Sequence, residues 1–138
     1  MRPLTIDIDR LAAALVDDQA DLRLDLLSGR LLDIPPAGED PQIEQLLEEE
    51  PERLLALEPL SADERLALMA DFLCEVVDPN AYAALTAALA ERRQQRAFLN
   101  ALKQFPDVRE TWQHYEQARL RELALDWLAD NQLQPVDR

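Results

Sequence analysis

Carboxylates are the side chains of this sequence best placed, by type and spacing, to do chemistry. Asp7-x-Asp9 sets two of them close together, and Glu48-Glu49-Glu50 with Glu52 makes the densest negative patch, interrupted by Pro51. Such groups bind divalent cations when they converge from separate segments, and act as general acid and base when two sit in unlike environments. The 48–52 run lies on one segment, which is the pattern of a solvated surface. Asp7 and Asp9 suit the cap and first turn of a helix. A carboxylate- or metal-dependent hydrolase is therefore the weakest of three readings. The one histidine, His114, has no serine or cysteine beside it in the sequence. The one cysteine, Cys74, has Asp71 and Glu75 as its charged neighbours, which disfavour a thiolate, and is expected to be a small buried hydrophobe. Glycine-rich phosphate loops and His/Cys ligand clusters do not occur in the sequence. The expectation is a protein that is not an enzyme and takes no cofactor or metal.

Cations are fewer and unevenly spread. The 138 residues carry 14 basic and 28 acidic side chains, a formal net charge of −14. Residues 1–91 hold 6 basic and 21 acidic groups, whereas residues 92–138 hold 8 and 7. At about 100° per residue, Phe98, Ala101, Leu102 and Phe105 share one arc of a helix, with Arg92, Arg96 and Lys103 opposite, provided the helix is continuous from 92 to 105. Arg119 lies on the apolar stripe of the following helix. It either lays its aliphatic stem over that stripe or holds a semi-buried guanidinium against a carboxylate or ring. Arg92, Arg96, Lys103 and Arg119 form the candidate interaction surface, facing an acidic partner or the chain's own Glu48–Glu52 patch. Nucleic acid is disfavoured by the net charge and by so small a cationic footprint.

These residues need elements to place them. Two glycines against abundant Leu, Ala, Glu and Arg favour helix, and nine prolines serve mostly as boundaries. A first helix follows the alternation Leu4, Ile6, Ile8. Leu22, Leu24 and Leu26 alternate with Arg23 and Asp25 as in a half-buried strand, and Ser28-Gly29 is a two-residue turn into a returning strand, a hairpin over 22–34. Pro41 to Glu50 reads as a short acidic helix, and Arg53 to Leu57 as a third strand beside the hairpin. Ser61-Ala62-Asp63-Glu64 is a capping box opening a helix to about Val77, with Leu66, Met69, Leu73, Val76 and Val77 inward. Asp78-Pro79 starts another helix to about Glu91, burying Tyr82, Leu85 and Leu89. Pro106-Asp107 opens the last, whose stripe runs Val108, Trp112, Tyr115, Leu120, Leu123, Ala124, Trp127 and Leu128. His114 falls off the stripe and is expected to be exposed.

The order of these pieces resembles the bacterial Uncharacterised Protein Family 0158. The match includes IDIDRLAAAL, LRLDLLSGRLLDI, EEEPERLLAL, the MADFL string and the FPDVRETW…RLRELALDWL tail, and covers almost the whole chain. The family's tail carries a Gly-Ala-Phe-Arg-Arg-Phe-Lys-like string before the proline. Here Arg93 stands in place of that glycine, Arg96 keeps an arginine, Ala97 loses the second, and Phe98 keeps the second phenylalanine, as in a divergent member. The resemblance implies a small, mostly helical mixed domain and no particular activity.

Together these readings predict an α+β fold with about five helices and a small two- or three-stranded antiparallel sheet near the N-terminus. Residues 1–138 are expected to form a single domain, with the helical region over 61–130. No apolar run reaches the roughly 20 residues that cross a bilayer, and the N-terminus has no hydrophobic signal core. A cytoplasmic, non-catalytic interaction or regulatory module is the expected function, with an unknown protein partner or self-association. The alternative is a nucleic-acid-associated protein using the basic and aromatic 92–121 tail.

Overall fold

A computed structural model of the protein describes residues 2–17, 21–36 and 38–136. The chain gathers into two compact units, Met1–Pro59 with Leu120–Arg138, and Leu60–Arg119. Among the described residues there are six α-helices and five short strands, an α+β arrangement dominated by helix.

In the first unit, β1 (Arg2–Thr5) leads into α1 (Ile8–Ala14). Asp7 caps α1, its carboxylate accepting the Arg10 N–H at 3.2 Å, and the helix buries Ile8, Leu11, Ala12 and Ala14. Three antiparallel strands follow: β2 (Leu22–Asp25), β3 (Leu31–Asp33) and, after α2 (Pro41–Glu49), β4 (Leu54–Ala56). Their order is β3-β2-β4, with Leu24 opposite Leu31 on one side and Leu55 on the other. The hairpin connection is longer than the expected two residues, because pairing stops at Asp25 and resumes at Leu31. Gly29 occupies this turn with φ +78°, and a methyl there would lie 1.9 Å from the Thr5 carbonyl oxygen. A second sheet was not foreseen. β1 pairs in parallel with β5 (Leu133–Val136), a strand entered through Gln132 at φ 59°.

In the second unit, Ser61 and Glu64 close the expected capping box on α3 (Ala62–Phe72), with both bonds at 3.1 Å. The helix ends at Phe72 and tightens into a 3-10 turn over Leu73–Glu75, short of the expected Val77. That tightening rotates everything after it. Val77 is 96% exposed and Cys74 is exposed, while Leu68, Met69 and Phe72 are buried. The expected burial of Val77 and Cys74 is thus overturned by a change of helical pitch. Asp78 caps α4 (Pro79–Leu89), accepting the Asn80 N–H at 2.8 Å. Here small residues do the packing: Ala81, Leu85 and Ala88 are buried, while Tyr82, expected inside, is 48% exposed. After α5 (Gln94–Leu102) comes α6 (Pro106–Asp130), which runs from this unit into the residues of the first.

The aromatic core of the second unit assembles as expected. Trp112 stands edge-on to Phe72 and Phe98 at centroid separations of 5.2 and 5.1 Å, and Tyr115 packs 5.3 Å from Phe72. Burial pushes the Tyr115 phenol pKa up; Asp71 adds to that and Arg119 opposes it.

Candidate interaction surface

The expected basic face is built differently from a continuous 92–105 helix. α4 ends at Leu89 and α5 begins at Gln94. The Gln94 side chain donates to the Leu89 carbonyl at 2.6 Å, satisfying an end group of α4 and stabilising the break. Arg92 therefore sits in the connecting turn, off the α5 face. It still lies close to Arg96, because Arg92, Arg93, Gln94, Gln95 and Arg96 line one groove of about 330 Å³ with Ala62 and Leu66. All three arginines are exposed, and none has a side-chain hydrogen bond or ion pair among the described residues. Arg93 adds a third cation that helical spacing alone did not pick out; its standing in place of the family glycine was the only signal.

Lys103 is separate from this cluster. It ends α5, roughly 10 Å along the axis from Arg96 at 1.5 Å per residue. A cation there complements the helix C-terminus, so Lys103 has a local role besides any contact. Arg119 is half-buried on α6, engaged with neighbours and acting electrically on Tyr115. Of the four expected residues, Arg92 and Arg96 come together, whereas Lys103 and Arg119 do not join them.

Several of the acids considered for metal or acid–base work have other duties. Asp9 pairs with Arg121 at 2.7 Å, Glu50 with Arg53 at 3.3 Å, and Glu49 accepts from Gln45 at 3.2 Å. Among the described residues no group of three or more His, Cys, Asp or Glu side chains is arranged to hold a metal ion.

An electrostatic centre that the sequence reading placed on the solvent side lies in the sheet. Asp25, 4% exposed, receives Arg53 Nε on Oδ1 at 2.8 Å and Nη2 on Oδ2 at 3.0 Å, a two-pronged ion pair. The Leu27 N–H and the Ser28 hydroxyl donate to the same carboxylate at 3.0 and 2.8 Å. Arg53's hydrogen bonds, outweighing burial and aided by Leu27 and Ser28, hold the Asp25 pKa well below the usual carboxylate range. Asp25 in turn raises the Arg53 pKa. The sequence Asp25-Leu26-Leu27-Ser28-Gly29 carries part of this signal, since aspartate and serine close turns on the backbone ahead of them. Arg53, 28 residues away, has no local signature.

A family model described as Uncharacterised protein family (UPF0158) matches residues 1–138. The chain belongs to this family. A UPF0158 relative, the UPF0158 protein PA5073 of Pseudomonas aeruginosa, is 51% identical over 138 residues, spanning all of this chain and 90% of the relative. No solved structure matches the chain. The UPF0158 resemblance read from the sequence is thus established over the whole length. No helix among the described residues is long and apolar enough to cross a membrane.

Proposed function

We propose that this UPF0158 protein is a non-catalytic interaction module that docks an acidic protein surface on the α4–α5 junction. One observation carries the reading. Arg92, Arg93 and Arg96 crowd one groove without partners, in a chain whose acids outnumber its bases 28 to 14. Three guanidiniums held together repel one another, and plentiful carboxylates elsewhere in the sequence do not neutralise them. An acidic partner would relieve that repulsion and desolvate the planar forks. Lys103 would meet the far edge of the same partner.

The reading includes a cytoplasmic setting, supported by the exposed, unpaired thiol of Cys74, which suits a reducing compartment. Nucleic acid is the poorer fit. Trp112 is 3% exposed and offers no ring face for base stacking, and the net charge opposes approach to phosphates. The test compares wild type with the R92E/R96E/K103E variant in cross-linked capture from a Pseudomonas lysate. Acidic proteins retained by the wild type should be lost from the variant and eluted by salt. An identical retained set from both would remove the arginine groove from the account.

A further inference from the structure

A second charged cleft lies in the other unit. Ile6, Asp7 and Arg10 form one wall, and Gly29, Arg30, Leu31 and Leu32 the other, around about 430 Å³. That volume falls within the roughly 300–1,000 Å³ typical of small-molecule sites. Two segments distant in the chain each bring one arginine to it. Arg10 and Arg30 are exposed and have no side-chain partner among the described residues. One oxygen of the Asp7 carboxylate, also in the lining, accepts the Arg10 N–H at the α1 cap.

Unlike a scatter of surface charge, this convergence is held in place by the turn that carries Arg30. The Asp25 N–H donates to the Arg30 carbonyl at 2.8 Å, and the Gly29 N–H to the Asp25 carbonyl at 2.8 Å. The Arg30 N–H reaches the Ser28 hydroxyl at 3.3 Å, and that hydroxyl is itself bound to the buried Asp25 carboxylate. Gly29 lets the turn press directly against the Thr5 carbonyl, where any side chain would collide. The glycine therefore fixes the turn that brings Arg30 to the cleft Arg10 also lines, and the Asp25–Arg53 pair holds that turn. Such preorganisation lowers the entropic cost of binding.

We propose that this cleft binds a small phosphomonoester, with Arg10 and Arg30 holding the phosphate and the Leu32 side facing the organic group. Two forked guanidiniums match the several oxygens and near-double charge of a phosphomonoester better than they match one carboxylate. The site is independent of the α4–α5 arginine groove, and either proposal can fail alone.

The experiment is an amide NMR titration of the full chain with phenyl phosphate, with benzyl alcohol as the neutral counterpart. Saturable shifts are expected at Gly29, Arg30 and Leu31 with phenyl phosphate and not with benzyl alcohol. The R10A/R30A variant should bind about tenfold or more weakly, since charge-assisted bonds are lost. Both arginines are exposed, so that variant should keep the wild-type circular dichroism spectrum; if it does not, the single variants R10A and R30A carry the comparison. Unsaturable shifts, equal affinity in the arginine variants, or saturable shifts confined to Arg92–Arg96 would each overturn the proposal.

Discussion

Asp25 shows how much one side chain can decide. Its carboxylate satisfies both prongs of Arg53 and two donors of its own turn, so removing it strands several groups at once. Asp25→Asn should cost about 2–4 kcal/mol by urea denaturation, because a half-buried guanidinium and two turn donors lose their charged acceptor. Because the native pKa lies below the ordinary 3.8, the carboxylate's contribution is complete above that value. It is lost only as pH falls through the lower native pKa. Wild-type stability should therefore decline with acid below about pH 4 more steeply than that of the variant; matching slopes would contradict the pairing. Glu116 gives the opposite case. Burial, partly offset by Arg65, lifts its pKa above the ordinary 4.5, so ionising it weakens the fold. Glu116→Gln should raise the melting temperature at neutral pH, and the gap should close below the ordinary glutamate value. A variant melting at or below wild type at pH 7 would show that Glu116 is well solvated.

Among the elements, caps and turns supply the clearest tests. Ser61→Ala removes one half of the capping box on α3 and should cost about 1 kcal/mol, read from the urea midpoint. Gly29→Ala is a harsher change, since it combines φ +78° with a 1.9 Å collision on Thr5. A loss of at least about 2 kcal/mol is expected, with disturbed amide resonances at Thr5 and Leu4. A variant as stable as wild type would mean that the turn does not press on β1. Most helix starts were legible in the sequence because they are written within four residues: Asp7, Pro41, Ser61 with Glu64, Asp78-Pro79 and Pro106-Asp107; the start of α5 at Gln94, which has no side-chain cap, was not. The inward faces were less so. A single 3-10 turn at Leu73–Glu75 moved Val77 outward, and alanines took the packing positions assigned to Tyr82 and Leu89 on α4. Periodicity assumes constant pitch and rewards size, whereas close helix packing selects small residues.

For the molecule as a whole, electrostatics sets the behaviour in solution. A net charge of −14 implies self-repulsion that salt should screen. Raising ionic strength to about 0.15 M shortens the screening length to about 8 Å, and the melting temperature should rise. A fall would mean that ion pairs such as Asp9–Arg121 and Asp25–Arg53 outweigh the general repulsion. The same salt should weaken an acidic partner's hold on the arginine groove, so the two effects are separable by measuring melting and capture together. Such a molecule repels its own copies at long range.

Sequence alone determined the family, the α+β class, the starts of α1, α2, α3, α4 and α6, the antiparallel hairpin with its third strand, and the aromatic stripe of α6. These rest on caps, turn residues and periodicities contained within a few residues. The tertiary structure decided the parallel pairing of β1 with β5, the burial of Asp25 against Arg53, and which cations share a groove. Each of those joins positions from several to more than a hundred residues apart through a break, a turn or a change of pitch, and such joins depend on where the folded backbone brings two groups together.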